Sequence, residues 1–225
     1  MPRELTLSLL QSEAARFAQW QSGQPVPTLF GTTDGKAVGT YLEHLFQTKL
    51  EQNYSYHRGN SAKGIDFPAL DVDIKVTSIR QPQSSCPFRS ARQKIYGLGY
   101  SLIVLAYDKR DDVTARAARL DIQHTVFVDK ARTADFQTTS GLLRLIENHA
   151  NRDDILAFFE ERLMPFDDTE AIGLADEILR KPPAIGYLMT SNVILRPQFF
   201  GRIIEQADSV EGLTRLVPPK GHRRT

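Results

Sequence analysis

The stretch that organises the chain reads GIDFPALDVDIKVTS and spans residues 64–78. Apolar and polar residues alternate strictly within Val72–Val76, which is the period-two pattern of a strand with two unlike faces. The residues Ile65–Phe67 precede this strand, and Pro68–Leu70 can form a tight connection between the two segments. The sequence therefore predicts a tight antiparallel pair whose apolar face packs on a core.

The polar face of this pair carries two carboxylates and one amine. Asp73 and Lys75 lie on the same side of the predicted strand, and the tight connection brings Asp66 close to Asp73. A hard divalent cation such as Mg2+ prefers oxygen ligands and takes one or two carboxylates from a protein. Such an ion can acidify a bound water, which Lys75 would hold or deprotonate, or Lys75 would stabilise the developing negative charge. The pattern is typical of a metal-assisted phosphodiesterase. The alternative is an ordinary hairpin with solvated charges, in which Lys75 pairs with Asp73.

A helix is predicted upstream, from Asp34 as its N-cap to about Asn53. Glu43 falls at the edge of the apolar stripe of this helix, where a carboxylate needs a partner or an ion. The residues alone leave two interpretations open: a ligand of a second metal or of a metal-bound water, or a glutamate paired with a neighbouring Lys or His.

Asp66 followed by Asp73 and Lys75 resembles the active-site motif of the PD-(D/E)XK nuclease superfamily, which includes many type II restriction endonucleases. The helix that carries Glu43 resembles the helix that places a further acidic residue at that site. Residues 35–75 also resemble the corresponding part of the mismatch-repair nicking endonuclease and its restriction-enzyme relatives. The resemblance covers residues 34–107, and it departs from the family's name at Ile65, which stands in place of the proline.

This resemblance implies an α/β fold with a restriction-endonuclease-like core, a mixed β-sheet flanked by helices. It implies an endodeoxyribonuclease that cuts double-stranded DNA with Mg2+, for which Mn2+ would substitute, and that uses no organic cofactor. Asp66, Asp73 and Glu43 would be the metal ligands, and these three residues with Lys75 would form the catalytic set. A homodimer is expected because palindromic DNA sites match two-fold protein symmetry.

The charge distribution favours a nucleic-acid partner more than the net charge of +1 does. Residues 74–107 contain five basic residues and no acid, whereas residues 147–181 contain ten acids and four basic residues. Positive charge therefore lies beside the candidate site, as phosphate binding requires. The alternative is a polar loop and a basic surface helix, and Gln93 could instead orient water at the metal site. The candidate DNA-binding residues are Lys63, Arg80, Gln81, Gln83, Ser84, Ser85, Arg89, Arg92, Gln93, Asn192 and Arg196.

The periodicity and the turn residues divide the chain into three parts. Residues 1–33 form an N-terminal helix and loop, 34–129 the nuclease core, and 130–225 a mainly helical part with candidate DNA-recognition and dimerisation elements. In the core, a helix over 88–98 and strands over 101–107 and 120–128 are predicted, with 109–119 as a charged connector. Helices are predicted over 5–20, 140–149, 153–163, 169–179 and 198–207, and a strand pair or a loop over 185–196.

Composition bounds the class of protein. A chain of 225 residues with 41% hydrophobic and 24% charged residues can bury one large α/β core. The longest apolar run, Leu102–Tyr107, is too short to cross a membrane, and no apolar signal region is expected at the N-terminus. The single cysteine, Cys86, excludes an internal disulfide and suits a reducing cytoplasm.

Three functions are compatible with these residues. The first is a type II restriction endonuclease. The second is a repair-type enzyme that nicks one strand with the same site. The third is a DNA-binding protein on a nuclease-like core that is not catalytic, against which the complete set of Asp66, Asp73 and Lys75 argues.

Overall fold

A computed structural model describes residues 3–59, 64–84, 88–164, 166–190 and 198–217, with the side chains of Ser84, Asp168 and Gln198 outside that description. Its helices are α1 (Leu7–Ser22), α2 (Gly35–Glu51), α3 (Ala91–Tyr96), α4 (Phe136–Glu147), α5 (Arg152–Glu161), α6 (Asp168–Arg180) and α7 (Gly201–Gln206). Its strands are β1 (Arg3–Glu4), β2 (Pro25–Val26), β3 (Tyr54–Ser55), β4 (Val72–Ser78), β5 (Gln83–Ser84), β6 (Ser101–Asp112), β7 (Ala117–Val128), β8 (Gln198–Phe199) and β9 (Leu213–Arg215). The predicted mixed α/β class, with a mixed five-stranded sheet flanked by helices, is confirmed.

The chain divides into two compact units. The first unit comprises residues 1–82, 102–128 and 206–225, and it holds the five-stranded sheet. The strand order is β2-β7-β6-β4, and β9 also pairs with β7. Helix α1 packs on β7, and α2 packs on β4.

The packing of α2 on β4 follows from the sequence. Asp34 accepts a hydrogen bond from Lys36 N at 2.8 Å, so the predicted N-cap of α2 is confirmed. Val72, Ile74 and Val76 of β4 lie in the main core with apolar residues of α2. Gly39 of α2 faces Val76 Cβ, which a Cβ on the glycine would meet at 3.9 Å. The helix and the strand that carry the candidate catalytic residues are therefore held by one apolar core.

The prediction of a charged connector over 109–119 is wrong. Strand β6 continues to Asp112 and β7 begins at Ala117, so most of this segment is the end of a long antiparallel hairpin. The charged side chains at this end pair with one another, as in Lys109–Asp111 at 2.6 Å and Arg119–Asp112 at 3.7 Å. A high density of charged residues therefore does not exclude a strand here. The backbone N–H and C=O groups pair across the hairpin, and the charged side chains lie at its exposed end.

The second unit comprises residues 83–101 and 129–205 and is mainly helical. Helices α3 to α6 surround a core that includes Ile95, Leu142, Phe158 and Ile178. Helix α3 is shorter than predicted because Ser90 caps its start and Gly97 follows its end with φ 93°, where a Cβ would meet Lys130 O at 2.9 Å.

The remaining predicted elements differ from the structure mainly at their ends. Helices α4, α5 and α6 are confirmed with shifted boundaries, whereas the first residues of the predicted helix over 198–207 form β8, which pairs with β5. In the segment 185–196, Leu188 and Met189 make isolated bridges to Asp135 and Phe199, and residues 191–197 lie outside the described residues. None of the described helices is long and apolar enough to cross a membrane.

Candidate active site

The antiparallel pair predicted around Pro68–Leu70 is present as one backbone bridge. Phe67 N donates to Val72 O at 2.9 Å, and Val72 N donates to Phe67 O at 3.3 Å. Pro68–Leu70 form a single 3-10 turn, and Asp71 closes it in the left-handed conformation at φ 51°. Residues 65–66 are not a regular strand, but the bridge still returns Asp66 to the side of Asp73.

The two aspartates and the lysine meet as the sequence predicted. Asp73 Oδ1 accepts a hydrogen bond from Asp66 N at 3.3 Å, and Asp66 Oδ2 accepts one from Ile74 N at 3.0 Å. Lys75 Nζ lies 2.6 Å from Asp73 Oδ2. The hairpin alternative is correct about this ion pair but wrong about solvated charges, because Asp73 is only 3% exposed. The three groups thus form a partly buried polar cluster.

Two residues that the sequence analysis did not select hold Asp66 in place. Gln47 of α2 donates from Nε2 to Asp66 Oδ1 at 2.9 Å. Gly59 N donates to Asp66 O at 2.9 Å, and a Cβ at position 59 would meet Ile65 O at 1.8 Å. The signal for Gln47 was available, because it lies four residues after Glu43 and so on the same face of the helix. The need for glycine at position 59 depends on the fold of the loop and had no local signal.

The surroundings of the carboxyl groups leave the cluster short of positive charge. Burial raises the pKa of Asp73 to about 7, with Asp66 adding to the rise and Lys75 opposing it. Burial, with the charges of Asp66 and Asp73, raises the pKa of Glu43 to about 7 against the charge of Lys75. One lysine therefore does not compensate the three carboxyl groups, and a cation bound here would favour their ionised forms.

The arrangement fits a hydrated divalent cation held by two carboxylates. A cavity of about 310 Å³ opens on the cluster, and it is lined by Glu43, His44, Gln47, Arg58, Gly59, Gly64, Ile65, Asp66, Asp73, Ile74 and Lys75. Within the part of the chain that the structure describes, no group of three or more His, Cys, Asp and Glu side chains is arranged to hold a metal ion. Asp66 and Asp73 match the one or two carboxylates that Mg2+ takes, and Glu43 affects them through its charge.

Some predicted DNA-binding residues between positions 80 and 83 are described by the structure. Arg80 donates from Nε to Asp108 Oδ1 at 3.2 Å while its side chain stays 72% exposed, and Arg110 binds the other oxygen of Asp108 at 2.8 Å. Gln81 is exposed, and its N–H donates to Ser78 O at 3.3 Å. Gln83 pairs with Phe199 in the β5–β8 ladder.

The predicted residues around α3 make contacts within their own unit. Arg92 forms a bidentate pair with Glu177 at 2.5 and 2.7 Å. The amide of Gln93 accepts from Arg89 N at 2.7 Å and donates to Leu98 O at 3.3 Å, so it stabilises the two ends of α3. Arg89 is exposed. Lys63, Ser85, Asn192, Arg196 and the side chain of Ser84 lie outside the described residues.

Comparison with known proteins gives the family. The family model described as type II restriction enzyme NspV matches residues 4–215. The type II restriction enzyme NspV of Nostoc sp. (strain ATCC 29411 / PCC 7524) is 54% identical over 209 residues, which cover 93% of this chain and 95% of that protein. No solved structure matches the chain. The resemblance to type II restriction endonucleases is confirmed, and the chain belongs to the type II restriction enzyme NspV family.

Proposed function

We propose that this chain is a divalent-cation-dependent endodeoxyribonuclease that hydrolyses phosphodiester bonds at a specific sequence in double-stranded DNA, with Mg2+ as its cation. Membership of a restriction enzyme family supports the substrate and the reaction. The observation that carries the residue assignment is the contact of Asp73 with both Asp66 and Lys75 in a cavity that Glu43 also lines. Burial raises the pKa of Asp73 and of Glu43 there to about 7.

Each side chain has a role that its surroundings support. Asp66 and Asp73 would hold the cation, and Glu43, which lines the same cavity, would be an auxiliary ligand of a second metal or of a metal-bound water. When bound, the cation supplies positive charge to the phosphate and acidity to a water. The Lys75 amine, on Asp73 at 2.6 Å, would hold the attacking water or stabilise negative charge on the phosphate. Arg80, exposed on its tether to Asp108, would contact the DNA backbone.

The site is tested by plasmid cleavage with Mg2+, with Mn2+ and with EDTA. We expect the wild-type chain to cut in either metal and not in EDTA, and Asp73→Ala and Lys75→Ala to be inactive. Retained cutting by both variants would falsify the residue assignment.

The same assay separates the alternatives. We propose a homodimer, for which linear DNA accumulates from supercoiled plasmid; open circles that persist indicate a nicking enzyme. A shift of DNA in a gel without cleavage in either metal indicates a binding protein. Sedimentation of the free chain measures the oligomeric state directly.

The single cysteine is compatible with a place in the reducing cytoplasm.

A further inference from the structure

Gln47 is a buried polar residue whose amide is only half satisfied. The residue is 4% exposed and lies on α2, one turn after Glu43. Its Nε2 donates to Asp66 Oδ1 at 2.9 Å, whereas its Oε1 is buried and has no hydrogen-bond partner among the described residues. Because Nε2 must face the carboxylate, the amide cannot flip to give Oε1 another role. A buried carbonyl oxygen without a partner is unfavourable and rare in native proteins.

The Gln47 side chain that carries Oε1 lies at the cavity of the candidate active site. Gln47 lines that cavity together with Glu43, Asp66 and Asp73. Asp66 receives one hydrogen bond on each oxygen, from Gln47 Nε2 and from Ile74 N, so the plane of its carboxylate is fixed. A lone pair remains on each Asp66 oxygen for a cation, and the orphan oxygen of Gln47 lies on the same terminal group that touches Asp66. A water carried by such a cation would bring the donor that Oε1 lacks, since Mg2+ keeps several of its waters.

We propose that Gln47 is a positioning residue of the cation site: Nε2 orients the Asp66 carboxylate, and Oε1 accepts a hydrogen bond from a water of the hydrated divalent cation. This inference rests on the proposed function of the same site. It assigns to Gln47 the part that carbonyl and carboxylate groups play around the direct ligands of other metal sites, where their removal lowers metal affinity or activity by about 10- to 100-fold.

The test is a titration of the full-length chain with Mn2+ in the absence of DNA, in which free Mn2+ is measured by electron paramagnetic resonance. Gln47→Met has nearly the same shape as glutamine and removes both donor and acceptor; we expect its Mn2+ dissociation constant to rise about tenfold or more. Gln47→Glu keeps an oxygen at the position of Oε1, and we expect it to bind Mn2+ at least several-fold more tightly than Gln47→Met. Gln52→Met, the same exchange at the exposed C-cap of α2, should match the wild type.

A second measurement separates positioning from a structural role. In EDTA, Gln47→Met removes both an unpaired buried oxygen and the hydrogen bond to Asp66 Oδ1, which change the unfolding midpoint in opposite directions, so the response of the midpoint to Mn2+ is the quantity that discriminates. The rise of the midpoint on adding Mn2+ should be smaller than in the wild type. A purely structural glutamine would lower the midpoint equally with and without Mn2+, so the rise with Mn2+ would be unchanged from the wild type.

The outcomes distinguish the two proposals. Mn2+ affinity of Gln47→Met within twofold of the wild type overturns the role of Gln47. Equal weakening in Gln47→Met and Gln47→Glu overturns the role of Oε1, because both variants lack Nε2 and only Gln47→Glu keeps an oxygen there. In either case the nuclease site stands if Asp73→Asn loses Mn2+ binding. If Asp66→Asn and Asp73→Asn bind Mn2+ as the wild type does, or if the wild type shows no saturable binding, both proposals fail.

Discussion

Two aspartates, one in each unit, are almost equally buried but have very different surroundings. Asp135 is 1% exposed, and its carboxylate accepts four hydrogen bonds: two from the N–H and hydroxyl of Thr138 at 2.8 and 2.7 Å, and two from those of Thr190 at 2.9 and 3.0 Å. Asp73 is 3% exposed, and it has one long hydrogen bond from Asp66 N at 3.3 Å and the ion pair with Lys75.

The difference in hydrogen bonding indicates which of the two buried aspartates stabilises the fold. Asp135 caps α4 and joins it to the segment around Thr190, so its charge is compensated within the protein. The surroundings of Asp73 instead favour its neutral form up to about pH 7. A fold keeps such an unfavourable group where an activity requires it, because activity and stability compete at functional sites. Substitutions at the two positions should therefore have opposite consequences.

The largest effect is expected for cleavage by Asp73→Asn. Loss of the charge of a proposed cation ligand should lower the cleavage rate by about a thousandfold or more, which corresponds to about 4 kcal/mol of transition-state stabilisation. The midpoint of unfolding in EDTA should stay the same or rise, because the amide carries no buried charge. The matched control is Asp71→Asn, an exposed position at φ 51° where asparagine is well tolerated, which should cut like the wild type. Similar losses in both variants would contradict the assignment.

Asp135→Ala should show the converse, a loss of stability. Removing an N-cap and leaving the N–H and hydroxyl groups of Thr138 and Thr190 without their acceptor should lower the free energy of unfolding by about 3 kcal/mol, as measured by urea denaturation. Thr138→Val removes only the hydroxyl donor and should cost about 1 kcal/mol. Added Mn2+ should not restore the stability of either variant relative to the wild type. A loss below 1 kcal/mol for Asp135→Ala would show that the two aspartates do not differ in this way.

The pH dependence of stability in EDTA should follow from Asp73 and Glu43. The folded state raises both pKa values to about 7 from the ordinary values of 3.8 and 4.5. Both groups are protonated in either state at low pH, so their contribution is fully present there. As the pH rises from about 4 to about 7 the unfolded chain loses these protons first, and stability should fall over this window and level off above it. Asp73→Asn should flatten the fall, and saturating Mn2+ should oppose it; an unchanged profile in Asp73→Asn would show that Asp73 does not titrate in this way.

The sequence predicted the local parts of this site because local rules determine them. The alternation within Val72–Val76 fixes a strand and its core face, and the turn Pro68–Leu70 returns the chain so that Asp66 meets Asp73. The cap of α2 at Asp34 was equally local. These features depend on neighbours within a few residues, and each agrees with the fold around it.

The features that were missed depend on distant partners. Arg92 appears as a free basic residue in the sequence but pairs with Glu177, 85 positions away, and Asp135 receives half of its hydrogen bonds from Thr190. The charged end of the β6–β7 hairpin was assigned to a connector because its backbone pairing cannot be read from composition. Asp108, which tethers Arg80 and Arg110, likewise has no signal in the local pattern.

The smallest expected effect concerns Arg80, and it tests whether the DNA-binding surface continues from the site. Arg80→Ala leaves Asp108 paired with Arg110 at 2.8 Å, so the fold should persist. If Arg80 contacts a phosphate, the slope of log affinity against log salt should fall by about one, uniformly across DNA sequences, in fluorescence anisotropy with Ca2+ in place of Mg2+. Arg152→Ala is the control, because Arg152 is also an exposed, ion-paired arginine but lies in the acidic segment, paired with Asp176 at 2.6 Å. Equal slopes for the wild type and Arg80→Ala would confine the phosphate contacts to other residues. A change restricted to one DNA sequence would instead mean that Arg80 reads a base edge, which gives specificity where a phosphate contact gives only affinity.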